Sequence, residues 1–330
     1  MCKNFSYYIS KFFNEYLPQT RNLSKNTILS YRDSILLLIE YFQKVHNISS
    51  QKISNSDLTL TNIEDYLNWL ENEKNLRVSS VNVRLAGILS LIKYIQNREL
   101  NYFDEFSKIL SIKNKKAPQN SISYFSIDEI KKLMNIPNIK QKHELRELAI
   151  MLFLYESGCR VQELCDLKFE QLNLSNRATV ILIGKGNKSR IVPLGNEIAN
   201  VMSKYIHEFD IKENKYVFQN KYNQKITRQG IQYVLSKYSK FINTKDKSHC
   251  QLTPHALRHS KAMHLLEAGV NLVYIRDFLG HVSVVTTEVY AKTNPEIKRK
   301  EIVKHSENYN FDSYDENIKN ELEVWLRNIK

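Results

Sequence analysis

The segment TPHALRHSKAMHLLEAGVNLVYIRDFLGHVSVVTTEVYAK, residues 253–292, combines the pattern of a core helix with many polar side chains. Its apolar residues, among them Leu266, Ile275 and Leu279, recur at the spacing of amphipathic helices. Its histidines and arginines and its last tyrosine are His255, Arg258, His259, His264, Arg276, His281 and Tyr290. Such side chains are either scattered over the surface or converge on a strongly anionic group. The segment therefore predicts part of an α-rich core and is the first candidate site.

Upstream of this segment, the chain predicts helices and one hairpin. Residues 126–135 begin with Ser126 and place Glu129 three positions later, the pattern of a helix capping box. Residues 143–167 predict two helices separated at Gly158. Two β-rich runs within residues 178–194 flank GKGNKS, which predicts an antiparallel hairpin. The second part of the chain should be a mostly helical domain that holds one small sheet.

The first part of the chain predicts a bundle of four helices. These helices are expected at residues 4–18 (ending at Pro18), 24–47, 59–75 and 79–96, the last three with a polar capping residue at their start. Residues 111–121, SIKNKKAPQNS, are basic and lack periodicity, which indicates a linker.

Composition limits the possible classes of protein. A chain of 330 residues suits about two domains. The net charge of +13 favours a polyanionic partner such as nucleic acid, although a basic ribosomal or membrane-surface protein would share it. There is no uninterrupted apolar run of about 18 residues and no apolar signal-peptide core at the N-terminus, so we expect a cytoplasmic protein. Cys2, Cys159, Cys165 and Cys250 form no C-x-x-C pair and are interpreted as reduced.

Two short motifs upstream of residue 253 could carry chemistry. Arg160 and Glu163 share a helical face, either as a surface ion pair worth under about 1 kcal/mol or as a guanidinium directed at a phosphate. Lys185 lies in the predicted hairpin, in a sequence that lacks the G-x-x-x-x-G-K-[ST] pattern of a phosphate loop. It is either part of a solvated basic turn or a general acid for a leaving oxygen.

The histidines and the tyrosine of the first segment suit phosphate chemistry better than metal binding. His255 and His259 have a spacing that zinc ligands can use, but Arg258 lies between them and the carboxylate of an H-E-x-x-H motif is missing. Protonated histidines and arginines instead donate to phosphate oxygens. The phenol of Tyr290, with an ordinary pKa of about 10, becomes a nucleophile only where its surroundings stabilise the phenolate.

Taken together, these residues resemble the tyrosine recombinases, the phage-integrase family that includes the Xer proteins. Arg160 with Glu163, Lys185 in a hairpin, and the phrases HALRH, LLEAGVNLVYIRDFLGH and LGHVSVVTTEVY carry the resemblance. It implies a mainly α fold that closes on DNA as a C-shaped clamp. The expected parts are a four-helix, SAM-like core-binding domain (residues 1–110), a linker (111–122), an α-rich catalytic domain with a small antiparallel sheet (123–305) and a C-terminal tail helix (306–330).

The resemblance also implies a role for each candidate residue. Tyr290 would attack a DNA phosphodiester and form a 3′-phosphotyrosine with a free 5′-hydroxyl. Arg160 and Arg258 would hold the phosphate, with Glu163 supporting Arg160. His255 and His281 would hydrogen-bond the phosphate, His255 would accept the tyrosine proton, and Lys185 would protonate the 5′-oxygen. Cationic donors would take the place of a metal ion, so no metal or other cofactor is expected.

Contacts to DNA are expected from polar residues at two helix starts and in the hairpin. The candidates are Lys25, Thr27, Tyr31, Arg32, Asn82, Arg84, Lys188 and Arg190. Residues at helix starts also serve as caps or as solvated surface, so these positions have a second interpretation.

The expected function is site-specific strand exchange between double-stranded DNA sites through a Holliday junction. The segment YAKTNPEIKRKEI and the tail favour integration, excision or transposition of a mobile element; a Xer-like dimer resolvase is the alternative. Two more distant alternative functions are a type IB topoisomerase-like enzyme and a non-enzymatic DNA-binding regulator. No arm-binding domain is expected before the bundle.

The tail predicts a contact between protomers. Residues 314–330 place Ile318, Leu322, Trp325, Leu326 and Ile329 on one helical stripe. This stripe should pack on its own catalytic domain or, as the resemblance suggests, on a neighbouring protomer of a DNA-bound tetramer. An accessory protein or a second recombinase is a further expected partner; a membrane is not. The protein would then lie in the cytoplasm at the nucleoid.

Overall fold

The computed structural model describes residues 5–116, 123–242 and 251–280, together with Arg327, which is helical and exposed. His281, Tyr290 and the rest of the predicted tail helix lie outside the described residues, as does the side chain of Lys185. The chain divides into two compact units, residues 1–120 and 121–330.

The first unit is a helical bundle. Its elements are α1 (Phe5–Lys11), a π-helical segment (Phe12–Thr20), α2 (Lys25–Val45), α3 (Leu60–Asn72), α4 (Val78–Gln96) and α5 (Phe103–Leu110). Helices α2 and α4 approach closely at Gly87, where an added Cβ would lie 2.7 Å from Ser34 Oγ. Helix α4 has the length and composition of a membrane span, but Leu85, Ile88 and Ile92 on its buried face belong to the core of the bundle.

Three details of the first unit differ from the sequence prediction. The first helix does not end at Pro18 but continues as a π-helix to Thr20. Pro18 has no backbone N–H to donate, and the Gln19 side-chain amide donates to Asn14 O at 3.4 Å. The short helix α5 was not predicted, and it buries Phe106 and Ile109. Helix α4 begins after Arg77, with no side-chain cap.

The second unit is α-rich around a small sheet. Its elements are α6 (Ile127–Met134), α7 (Lys142–Ser157), α8 (Val161–Asp166), β1 (Leu172–Asn173), β2 (Thr179–Ile183), β3 (Ser189–Pro193), α9 (Asn196–Glu208), α10 (Arg228–Ser239), α11 (Pro254–Glu267) and α12 (Leu272–Leu279). The strands are antiparallel in the order β1-β2-β3, with Ile183 paired to Ser189 at the hairpin end. The predicted hairpin and the Ser126 capping box are confirmed.

The core of the second unit lies between α7 and its neighbours, where Ile150, Phe153 and Leu154 are fully buried. Helix α11 packs on α7, and its residues Ala256 and Leu257 belong to this core. A smaller apolar cluster joins α11 to α12 and includes Met263 and Ile275. This packing brings the ends of α7, α11 and α12 together at the candidate site.

Candidate active site

Arg160 is positioned by the sharp change of direction between α7 and α8. Gly158 ends α7 in the left-handed conformation (φ 55°), and an added Cβ there would lie 2.7 Å from the Phe278 ring. Arg160 then occupies the N-cap of α8. Glu163 accepts from the Arg160 backbone N–H through Oε2 and from Arg160 Nη1 through Oε1, each at 2.9 Å. The predicted pairing is present, and it orients the guanidinium at a helix start.

Arg190 also binds Glu163, which corrects its predicted role as an exposed DNA contact. Its Nη1 and Nη2 donate to the two carboxylate oxygens at 3.0 and 2.8 Å. The Arg190 and Glu163 side chains are only 12% and 4% exposed. Arg190 points inward because strand β3 alternates its side chains and Glu163 offers a buried carboxylate on the inner side. Spacing in sequence could not reveal a pair 27 residues apart.

Arg258 is buried on α11, and only 3% of its surface is exposed. Its Nη1 donates to Gly158 O at 2.5 Å and its Nη2 to Leu279 O at 2.7 Å. These are carbonyls at the C-terminal ends of α7 and α12, which carry partial negative charge. The structure thus brings Arg258 into the cluster, where it holds two helix ends.

Three successive carbonyls at the end of α12 each accept a hydrogen bond from a different arginine. Phe278 O accepts from Arg190 Nε at 2.9 Å, Leu279 O from Arg258 and Gly280 O from Arg160 Nη2 at 3.0 Å. The arginines come from β3, α11 and the start of α8. His281 follows directly in the sequence, so the cluster holds the backbone immediately before it.

His255 lies on α11 one turn before Arg258, and its ring is 6.2 Å from that of His259. Partial burial lowers the pKa of His255, and the charges of Arg258 and Arg160 lower it further. Burial, His255 and Arg258 lower the pKa of His259 in the same way. A neutral His255 can accept a proton. A groove of about 420 Å³ beside it is lined by Val161, Arg228, Gln229, Gln232, Thr253 and Pro254.

The hairpin tip is a tight turn. Lys185–Asn187 form a single 3₁₀ turn with Gly186 at φ 75°, closed by a 2.8 Å bond from Gly184 N to Lys188 O. Lys188 is exposed, as a DNA contact requires. An added Cβ at Gly184 would lie 3.2 Å from Glu163 Oε1, so the base of the hairpin adjoins the arginine cluster.

The predicted DNA contacts of the first unit fall into two groups. Lys25 and Arg32 are exposed, although Arg32 pairs with Asp33. Thr27 binds the N-cap Ser24, and Tyr31 stacks near Phe12, which makes both part of the local structure.

Asn82 and Arg84 are engaged within the bundle. The Asn82 amide donates to Lys115 O at 2.9 Å and accepts from Lys115 N at 3.1 Å, so it fixes the chain at the end of the bundle. Arg84 donates to Ser30 O at 3.4 Å. A linker held by two backbone bonds cannot be inferred from the position of Asn82 on a helix.

Among the residues that the structure describes, no three His, Cys, Asp or Glu side chains come close enough to hold a metal ion. Cys159 and Cys165 are free thiols in the core, and burial raises the pKa of Cys159 to about 12.

Comparison with known proteins identifies the family. The phage integrase family model matches residues 123–296, and the N-terminal SAM-like domain of phage integrases matches residues 11–99. The first match alone covers more than half of the chain. The protein belongs to the phage integrase family, as the sequence resemblance predicted.

Named relatives are tyrosine recombinases. The chain is 36% identical over 188 residues to tyrosine recombinase XerD of Listeria monocytogenes, a match that covers 55% of this chain and 62% of that protein. It is 32% identical over 202 residues to tyrosine recombinase XerA of Pyrococcus horikoshii, covering 60% and 66%. The chain thus spans less than two thirds of the length of these relatives.

Solved structures support the predicted fold class. The XerH site-specific recombinase, bound to a palindromic difH substrate, matches with a TM-score of 0.68 and 21% identity over 89% of this chain and 84% of that one. The Tn1549 transposon integrase, in complex with transposon right end DNA, matches with a TM-score of 0.65 and 18% identity over 90% and 98%. The mainly α fold with a small antiparallel sheet is confirmed.

Proposed function

We propose that this protein is a tyrosine-type site-specific DNA recombinase. The observation that carries the proposal is the convergence of three arginines on the C-terminal end of α12: Arg160 and Arg190 also share the carboxylate of Glu163, and Arg258 lies one turn after His255 on α11. Three positive charges and one negative charge leave a net charge of two. Such an excess, partly buried, stabilises the added charge of a phosphodiester under attack.

In the proposed mechanism, Tyr290 Oη attacks the phosphorus while His255 accepts the phenol proton. The P–O5′ bond breaks and Lys185 donates a proton to the leaving oxygen. Arg160 and His281 donate to the non-bridging oxygens, and no metal ion or other cofactor takes part. The 3′-phosphotyrosine conserves the bond energy, so the 5′-hydroxyl of a second strand can reverse the step and complete the exchange.

The two arginines would act differently on the phosphate. Arg160 is 38% exposed, and its described contacts use two of its five N–H donors, which leaves donors for DNA. Arg258 is buried and holds two carbonyls, so Arg160 is the more accessible of the two guanidinium groups.

We assign the parts of the chain accordingly. Residues 1–110 form the core-binding domain, 111–122 the linker, 123–305 the catalytic domain and 306–330 the tail. Lys25, Arg32 and Lys188 are the predicted DNA contacts that remain best supported, because their side chains are exposed. Thr27, Tyr31, Asn82 and Arg84 contribute mainly to the structure of the bundle.

The partners are double-stranded recombination sites and further protomers. Four protomers would act on two duplexes, and the tail stripe would dock on a neighbouring protomer. A second recombinase or an accessory protein would complete the assembly at the nucleoid. Both Xer proteins and a transposon integrase are similar to this chain. Because of the composition of the segment after Tyr290, we favour integration, excision or transposition of a mobile element over dimer resolution.

Strand exchange distinguishes a recombinase from a topoisomerase-like enzyme. The test uses two labelled duplexes that carry the DNA flanking this gene. A recombinase yields Holliday junctions and recombinant strands that contain both labels. Relaxation of supercoiled DNA without exchange would support a type IB topoisomerase-like function, and binding without either product would support a regulator.

A further inference from the structure

Arg190 connects three elements of the candidate site. It comes from strand β3 of the hairpin, binds Glu163 of α8 through two hydrogen bonds and binds Phe278 O of α12 through a third. These elements carry Lys185, Arg160 and the backbone just before His281.

Arg190 also determines how much of the Arg160 charge is available to a ligand. Burial by itself would raise the pKa of Glu163, but the hydrogen bonds and charge of Arg190, together with those of Arg160, hold it below its ordinary value. Glu163 is thus an anion at neutral pH. A buried carboxylate needs a compensating positive charge. Without Arg190, Arg160 alone would compensate Glu163, and less of the Arg160 charge would be available to a ligand.

The surrounding backbone is adapted to the Arg190 side chain. An added Cβ at Gly280 would lie 2.8 Å from Arg190 Nη1 and 3.0 Å from its Cδ. Gly280 also has φ 65°, a conformation that favours glycine. The end of α12 can therefore close over the guanidinium and present three carbonyls to three arginines.

We propose that Arg190 is a positioning residue for the DNA cleavage step. It neutralises Glu163, so that Glu163 orients Arg160 without cancelling its charge, and it fixes the hairpin and the end of α12 around Arg160. The proposal rests on the proposed function, because cleavage is the step that it describes.

The experiment measures single-turnover formation of the covalent complex on a nicked site and, separately, the affinity for intact site DNA. Arg190→Met should lower the cleavage rate on the order of a hundredfold, since small displacements of a catalytic group have effects of that size. Affinity should change less than about threefold, because the side chain is 12% exposed. Arg190→Lys, which keeps the charge and one donor direction, should recover part of the rate.

Lys261→Met is the matched control. It removes another partly buried ion pair of the same unit, with Glu156 at 2.7 Å. Its cleavage rate should stay within about threefold of wild type, as expected for an isolated pair outside the site. Thermal unfolding of each variant establishes that it is folded.

The double variant Glu163→Gln, Arg190→Met tests the route of the effect. If Arg190 acts by neutralising Glu163, the double variant loses less than the product of the two single losses. The proposal would be overturned if the rate loss of the double variant equalled the product of the two single losses. A wild-type cleavage rate for Arg190→Met, or a loss confined to DNA affinity, would also overturn it. Absence of covalent complex from the wild-type protein would instead refute the proposed function.

Discussion

Replacing Gly280 by alanine should destabilise the second unit more than the same change at Gly269. Both glycines have positive φ, 65° at Gly280 and 81° at Gly269, and that conformation costs an L-residue about 1–2 kcal/mol. At Gly269 an added Cβ meets nothing within 4 Å. At Gly280 it would lie 2.8, 3.0 and 3.1 Å from Nη1, Cδ and Cζ of Arg190. Gly269 therefore serves as a control for the backbone term.

The contact term follows from the distances. Carbon–carbon contacts are ordinarily about 3.5–4.0 Å, so the Arg190 side chain must retreat by roughly 0.5–1 Å. That movement weakens the Arg190 hydrogen bonds to Glu163 and Phe278 O, now 2.8–3.0 Å long. Loss of one charged hydrogen bond adds about 1.5–3 kcal/mol. The Tm of Gly280→Ala should therefore fall roughly 3–12 °C further than that of Gly269→Ala.

Calorimetry of the full chain measures both changes, and a double-mutant cycle isolates the contact. In an Arg190→Ala background, Gly280→Ala should cost no more than Gly269→Ala, because the atoms that the Cβ meets are gone. Equal destabilisation of the two alanine variants in the wild-type background would refute the reasoning. So would an unchanged penalty at Gly280 after Arg190 is removed.

Four further predictions concern the chemistry. In an NMR titration, the pKa of His255 should lie below the ordinary value of about 6.5. It should rise in Arg160→Met, because that variant lacks a repelling charge. An unchanged or lower pKa of His255 in Arg160→Met would contradict the assigned cause. The cleavage rate should therefore fall only as the pH drops through this lowered pKa, where His255 gains a proton and can no longer act as a base. Cleavage by Lys185→Ala should be rescued by DNA whose bridging 5′-oxygen is replaced by sulfur, because the sulfur leaves without a proton. Arg160→Ala should not be rescued by this substrate. Equal rescue of both variants would exclude Lys185 as the general acid. EDTA should leave cleavage unchanged, and strict dependence on magnesium would indicate metal-assisted hydrolysis.

The sequence predicted the first helices and the hairpin of the second unit because their signals are local. Gly158 and Gly280 end helices in the left-handed conformation, and Ser126 forms its capping box with Glu129. The pairing of Arg160 with Glu163 also follows from a spacing of three, which is the separation of N-cap and N3 residues at a helix start. These features depend on residues within a few positions of one another.

The features that the sequence did not predict depend on tertiary contacts. Arg190 was predicted as a DNA contact, and its pairing with Glu163 of another element was not predicted. Asn82 was interpreted as a DNA contact, but it holds the backbone of Lys115. The first helix continues as a π-helix past Pro18 to Thr20, whereas the proline predicted its end. No single-helix pattern contains this information.

The central claim is that Tyr290 becomes covalently joined to the 3′-phosphate of cleaved DNA. A suicide duplex nicked near the cleavage position traps this intermediate, because the short strand that carries the 5′-hydroxyl diffuses away. Mass spectrometry of the digested complex should find one nucleotide-linked peptide with the adduct on Tyr290, and Tyr290→Phe should abolish the adduct while it retains binding. An adduct on another residue, an unchanged yield from Tyr290→Phe, or free 3′-ends without any adduct would contradict the claim.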